Sequence, residues 1–410
     1  MKLTATVTDG TKFVTGRLHL WHYDVTGRLL TLQSVTGDTV ARRHRPGRTR
    51  STCTRGRRAR GDGGQTRPGG GVDVKQVGRE LGVRYLLEGS VRKASPQVRI
   101  MAQLIDAQTG SHLWADRFDG SLEDVFALQD KVASSIAGVI EPSLQAAEMR
   151  RSAARPTTDL TAYDLYLRAL AVFFPITREG ILAALGLLEQ AIASDPHYGL
   201  ALGWAAICHS HLINNGWAEE PRTNPRTATD LARRALQAGN NEPGVLANAA
   251  FVLAHFGEDI GAMIGLVDRA LAMNPSFARG WSLSGFLRVF AGQHDSAIAH
   301  IETSMRLSPR ERVGSRLTVM GQALFFSRRF DEAAAKLNLA VQDDPGHPTP
   351  YRALAACYAH MGRPGEARAI VARLRAITPD LVPVVDLPWR KRDDRELYLS
   401  GLRLAVGEKP

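Results

Sequence analysis

The sequence predicts a mainly α protein: an α-solenoid of about six helix pairs preceded by a small α+β domain. Three observations carry this. Pro196, Pro243, Pro275, Pro309, Pro345 and Pro379 recur 32 to 47 residues apart. Before most of them stands the same amphipathic text, as in IGLVDRALAMNP and EAAAKLNLAVQDDP. Upstream, between Val72 and Ile140, the pattern instead alternates with period 2 between two helical stretches.

The clearest repeat runs from Ser276 to Pro309. It predicts helices over 278–291 and 295–306, broken at Gly292, where glycine takes a left-handed cap without steric cost. Gly285 and Ala297 are small where the two helices must cross closely. Pro309 cannot continue the second helix, because it has no amide donor.

The same periodicity predicts pairs at 160–173/178–193, 199–213/227–238, 244–256/259–272, 314–327/331–342 and 349–361/364–376. Ala184, Ala297, Ala333 and Ala367 each stand 12 residues before a proline, and Leu188, Ile301, Leu337 and Val371 follow one turn later on the same face. The polar run RRSAARPTTD ends in Asp159, a candidate cap for the first helix. Residues 393–406 read as a solvating helix at the solenoid's end. In these spacings Leu160 to Pro379 resembles the tetratricopeptide repeat family.

Upstream, VDVKQVGRELG reads as a short helix, followed by three strands turning at Ser95-Pro96 and Gln108-Thr109-Gly110. Tyr85, Leu87 and Val91 share one face; Trp114, Asp116 and Phe118 share another. Residues 122–140 read as a helix with Val125, Leu128, Val132, Ile136 and Val139 in one stripe. The phrases LGVRYLLEGSVRK, VRIMAQLIDAQTGSHLWADRFDG and EDVFALQDKVASSIA are similar to a TolB-like amino-terminal domain. That resemblance implies a further strand and helix before Val72, where an Arg/Gly-rich stretch stands instead, so a partial domain with an unpaired sheet edge is expected. The expected divisions are a disordered tail at 1–71, the partial TolB-like domain at 72–148, a linker at 149–159, repeats at 160–380 and a cap segment at 381–410.

Charge separates these regions. The net charge is +11, yet residues 1–70 hold 14 basic side chains against four Asp, leaving the rest nearly neutral. Residues 42–70 carry ten Arg, no Lys and no apolar periodicity. Three readings of that stretch stay open: a start or frame error, a solvated tail, and a nucleic-acid-binding arm. The weakly alternating residues 17–35 would suit a hairpin turning at Thr26-Gly27. Cys53, Cys208 and Cys357 are an odd number at long spacing, which argues for a reducing, cytoplasmic setting. No apolar run approaches a membrane span.

Catalytic and metal chemistry find little support. Cys208, His209 and His211 lack the second pair of ligands that structural zinc needs. GDGGQT has no following Lys-Ser/Thr and no preceding strand, so it does not make a phosphate loop. The resemblance to proteins with TolB-like domains and repeats implies that many relatives carry a class III adenylate or guanylate cyclase domain upstream. That chemistry needs clustered metal-binding acids, and the four Asp before Val72 are scattered. No catalytic residue, metal or cofactor is therefore expected.

The expected function is protein–protein interaction, with a protein or peptide partner held in the solenoid's concave groove. By the repeat family's pattern, Asn248, His255, Ser282, Thr318, Gln322, Phe325, Arg352 and His360 would face that groove, whereas Trp281 and Tyr351 belong to the core. The alternative is a regulatory fragment of a class III cyclase whose catalytic domain lies outside this chain. Membrane and nucleic-acid partners are not expected; homo-oligomerisation stays open.

Overall fold

The structure is a computed structural model. It describes residues 3–8, 18–23, 29–35, 74–81, 83–94, 97–121, scattered positions from 132 to 149, and 161–218, 224–309, 312–382 and 388–408. The chain divides into two compact units, Met1–Ala133 and Ser134–Pro410.

The amino-terminal unit contains β1 (Leu3–Thr8), β2 (Leu18–Tyr23), β3 (Leu29–Val35), α1 (Val74–Leu81), β4 (Tyr85–Ala94), β5 (Gln97–Asp106) and β6 (His112–Ser121). The antiparallel meander β4-β5-β6 is the one expected. Its first turn leaves only residues 95 and 96 between Ala94 and its partner Gln97. At the second, the Asp106 carboxylate accepts from the amides of Gln108 (2.8 Å) and Thr109 (3.1 Å), and Gly110 takes φ +79°. Tyr85, Val98, Leu104, Trp114 and Phe118 are buried. Leu86 is buried with Val83, Ala107 and the partly buried Val74 of α1. A Cβ on Gly78 of α1 would lie 2.4 Å from that of Ala107, so only glycine fits the approach.

Two expectations change here. Strands β1, β2 and β3 form inside the stretch expected to be a disordered tail, and β2 and β3 make the hairpin its alternation suggested. The β4 edge is not unpaired: β1 lies parallel to it, from Leu3 opposite Tyr85 to Thr8 opposite Ser90. LTATVT can take the place because β-branched Thr and Val suit a pleated ladder. The Arg-rich residues 42–70 lie outside the described residues, as does most of the helix expected at 122–140, although Val132, Ile136 and Ile140 are helical.

The second unit contains α2 (Ala162–Phe173), α3 (Arg178–Ser194), α4 (Gly199–Asn214), α5 (Pro225–Ala238), α6 (Pro243–His255), α7 (Ile260–Met273), α8 (Ala278–Ala291), α9 (His294–Leu307), α10 (Gly314–Phe326), α11 (Phe330–Asp343), α12 (Pro348–His360), α13 (Pro364–Arg375) and α14 (Arg392–Ala405). From α2 to α13 these form six antiparallel pairs among the described residues, with boundaries within two residues of expectation. The first cap differs: Thr161, not Asp159, closes α2 in a reciprocal box with Asp164. Asp159 lies outside the described residues. Thr177, Asn224 and Asp259 cap α3, α5 and α7 by accepting from amides three residues on.

The recurrent prolines also have a turn role. The carbonyls of Asp195, Asn274 and Asp344, each preceding a proline, accept from amides three residues later, and a turn suits Pro in its second position. Each turn aims the next first helix back along its partner. At the crossing of α8 and α9, a Cβ on Gly285 would be 2.7 Å from Ile301 Cδ1 and 3.4 Å from the Ala297 carbonyl. Gly321 repeats this against Leu337 and the Ala333 carbonyl. Ala184, Ala297, Ala333 and Ala367 are all fully buried, as their spacing implies.

The two helices of a pair differ in what they hide. Among second helices, α5 buries a single stripe: Ala228, Ala232 and Ala235. First helices such as α4 and α10 bury nearly every residue, so they are covered on both sides. One side is the partner helix; the other is the concave face.

Candidate partner groove

The concave face is occupied by the chain itself. After α13, Thr378 donates from Oγ1 to the Asn215 carbonyl at the end of α4 (2.7 Å), while Trp217 Nε1 donates to the Ile377 carbonyl (3.1 Å). Arg352 of α12 donates to the carbonyls of Asp380 (3.0 Å), Leu381 (3.1 Å) and Asn214 (3.2 Å). Further along, Arg390 donates to the carbonyls of Ala254 (2.7 Å) and Glu258 (3.0 Å), its own amide donates to Phe290 O (2.7 Å), and Lys391 Nζ donates to Gly292 O (2.7 Å). The carbonyls of Asn214, Asn215, Ala254, Glu258, Phe290 and Gly292 lie at or just beyond the C-termini of α4, α6 and α8, where the helix dipole favours positive charge.

The segment then enters α14, which lies against the inner helices. Tyr398 is buried against Phe325 of α10 and against Trp389, with centroids 6.3 and 4.6 Å apart. His360 Nε2 of α12 is 2.8 Å from the Leu397 carbonyl. A Cβ on Gly401 would lie 2.7 Å from that of Ala356 in α12. Asp394 pairs with His294 of α9 at 3.1 Å. Residues 392–405 are thus not simply a solvating helix: Leu397, Tyr398, Gly401, Leu402 and Ala405 form a buried face that needs an apolar seat.

None of the eight residues expected to line the groove is exposed. Asn248, Ser282, Thr318, Gln322, Phe325 and Arg352 are buried, and His255 and His360 half-buried. Arg352, His360 and Phe325 meet the carboxy-terminal segment as described. Asn248 Oδ1 accepts from Arg279 (3.1 Å), whose guanidinium lies 4.0 Å over the Trp204 ring. Thr318 donates to the Gly314 carbonyl of its own helix (2.8 Å). His255 packs edge-on to Phe256 and Phe290. Tyr351 is core, as expected; Trp281 is half-buried, donating to the Pro275 carbonyl at 2.8 Å.

Early and late repeats also touch directly. The Ile176 amide, between α2 and α3, donates to Asp344 at 3.4 Å, and the rings of His211 and His347 lie 5.9 Å apart. Burial pushes the Asp344 carboxyl up to about 6. It pushes the His211 imidazole down to about 4, helped by Arg279, and His255 down to about 3, helped by His211 and Arg390. His347 is held well below the ordinary histidine value by burial, with His211 and Arg352 adding. Burial raises the thiol of Cys208 and pushes that of Cys357 up to about 12, which makes both poor nucleophiles. Among the described residues no group of three or more His, Cys, Asp or Glu could hold a metal ion.

The helix pairs, with their Gly/Ala crossings and proline turns, form an α-solenoid, and residues 325–385 match the tetratricopeptide repeat family model. Residues 325–385 thus carry the tetratricopeptide pattern, and the chain is similar to a bacterial protein bearing a cyclase name. It is 39% identical over 173 residues to "Putative adenylate cyclase 3" of Rhizobium meliloti (strain 1021), covering 42% of this chain and 29% of that protein. It is 31% identical over 99 residues to small glutamine-rich tetratricopeptide repeat-containing protein 2 of Mycosarcoma maydis, covering 24% of this chain and 28% of that one. The chain therefore aligns with under a third of the length of either curated relative. Similar solved structures include the human IFIT1 dimer with m7Gppp-AAAA, at TM-score 0.45 and 15% identity over 52% of this chain and 50% of that one. Another is YrrB, a TPR protein with an unusual peptide-binding site, at TM-score 0.29 and 16% identity over 47% of this chain and 93% of that one. No helix among the described residues is long and apolar enough to cross a membrane.

Proposed function

We propose that the helical unit is a non-catalytic scaffold that binds a protein partner along its concave face. The observation that supports this is the face's own content: a stretch of chain held by side chains that address main-chain carbonyls. Arg352 and His360 serve as such contacts and Phe325 as the apolar anchor. Asn248, His255, Ser282, Thr318 and Gln322 belong in this reading to the same row of first helices. Peptides selected by display on the purified chain provide the test. At least tenfold weaker binding of a selected peptide to His360→Ala supports the groove; equal binding to both proteins places the interaction elsewhere.

A second reading is favoured by the 39% identity to a cyclase-named relative. In it this chain is a regulatory part of cyclase signalling, and residues 72–148 are the TolB-like domain that accompanies it. The purified chain should then make no cyclic nucleotide from ATP or GTP with Mg or Mn, yet change the rate of a class III cyclase catalytic domain added in trans. Product made by the pure chain would refute the non-catalytic assignment. An unchanged rate in trans would refute the regulatory one.

A further inference from the structure

We propose that the concave face is a receptor for an amphipathic helix led in by a basic arm, and that residues 388–405 are its resident, exchangeable occupant. The proposal rests on the reading of the concave face as a binding site and names the ligand's chemistry.

The resident shows what the face recognises. The arm supplies Arg390 and Lys391, which donate to carbonyls at the ends of α6 and α8. The helix supplies a face of Leu397, Tyr398 and Leu402, with Gly401 allowing close approach to Ala356. Its other side, with Arg392, Asp393, Arg395, Glu396 and Arg403, is exposed. Any segment of this pattern meets the same carbonyls and the same seat around Phe325 and His360.

The resident's fit is incomplete. Among the described residues, both side-chain polar atoms of Asn215 beside Thr378, Nδ1 of His255 beside the arm, Nδ1 of His294 beside Asp394, and Nε1 of Trp389 are buried and find no hydrogen-bonding group of the protein. Buried polar groups ordinarily find one. A tethered segment can hold a site despite such defects, because its effective concentration is high. An external helix that satisfies these atoms competes on better terms.

The test uses the full chain and a fluorescein-labelled synthetic peptide of residues 388–405. In the Arg390→Ala/Lys391→Ala chain the resident loses its arm contacts, so the peptide should bind at least tenfold more tightly than to the wild-type chain. The same peptide carrying Tyr398→Ala should lose that binding. Equal affinity for both chains, or none for either, overturns the proposal. Hydrogen exchange on the unmodified chain gives an independent reading: amides of α14 should exchange at least tenfold faster than those of α12 and α13. Equal rates mean that the resident leaves only on global unfolding, and sink the exchange. A dimer held by swapped tails would name a second copy as occupant and would also overturn it. The scaffold reading fails separately, if the peptide binds as described but display-selected ligands ignore His360→Ala.

Discussion

Arg352, in the first helix of the last pair, donates to the carbonyl of Asn214, which ends the first helix of the second pair 138 positions earlier, at 3.2 Å. The same guanidinium holds Asp380 and Leu381. One buried side chain thus ties three parts of the concave face, and no carboxylate bonds to it among the described residues. Replacing it by methionine keeps the apolar stem but strands three carbonyls. The expected loss is about 2–4 kcal/mol, since each buried polar group left unmade costs about 1–3 kcal/mol and some reach water. Urea denaturation measures it; a midpoint unchanged within error would mean that these bonds contribute nothing net.

Ala297→Phe should overpack the crossing of α8 and α9. Ala297 is fully buried, and Ile301 and Gly285 leave no room beside it. A cost of about 1–3 kcal/mol follows. In a solenoid the damage spreads to neighbours first, so hydrogen exchange should quicken in α6–α11. Unchanged rates there, or equal loosening of β4–β6, would show that the pairing or the division into units is wrong.

The solenoid was legible because its signals are local. Helix periodicity, Gly292, the prolines and the Gly/Ala crossings each act within one repeat, and Gly285 with Ala297 marks a contact 12 residues apart. The occupied groove was not legible, because Arg352 finds Asn214 across 138 positions and no local pattern announces it. A hint was present: TPDLVPVVDLPWRK carries three prolines and many apolar residues, too apolar for an exposed linker and too proline-rich for a helix. The pairing of β1 with β4 was hidden likewise, since the short strand at Leu3–Thr8 finds its partner at Tyr85–Ser90, far along the chain, and no local pattern sets that register.

Deleting residues 1–71 tests the independence of the two units. The helical unit should keep its unfolding midpoint, because among the described residues its core cluster draws on none before Met149. The sheet should loosen at β4, which loses the ladder with β1. Calorimetry of the truncated chain should show the main transition within about 2 °C of the full chain, as expected for a change far from its core. A larger fall would mean that the helical unit depends on the amino-terminal stretch.

Acid should destabilise the helical unit. His211, His255 and His347 are kept neutral in the folded chain by burial, His211 down to about pH 4 and His255 to about pH 3. In the unfolded chain each takes up a proton near pH 6.5. Between those values the unfolded state binds more protons, so stability falls as pH drops. Asp344 acts in the opposite direction. Its carboxyl is raised to about 6 by burial, so the folded state holds the extra proton between about 6 and 3.8 and gains stability there. Three imidazoles outweigh one carboxyl, each contributing at most about 2 kcal/mol at pH 5. The melting temperature should therefore be flat from pH 8 to 7 and fall steadily from 6.5 to 5. His211 faces both Arg279 and His347, so His211→Gln should lessen that slope while leaving the value at pH 7.5 nearly unchanged. A melting temperature that rises on acidification, or a slope indifferent to His211→Gln, would show that these imidazoles reach water in the folded chain.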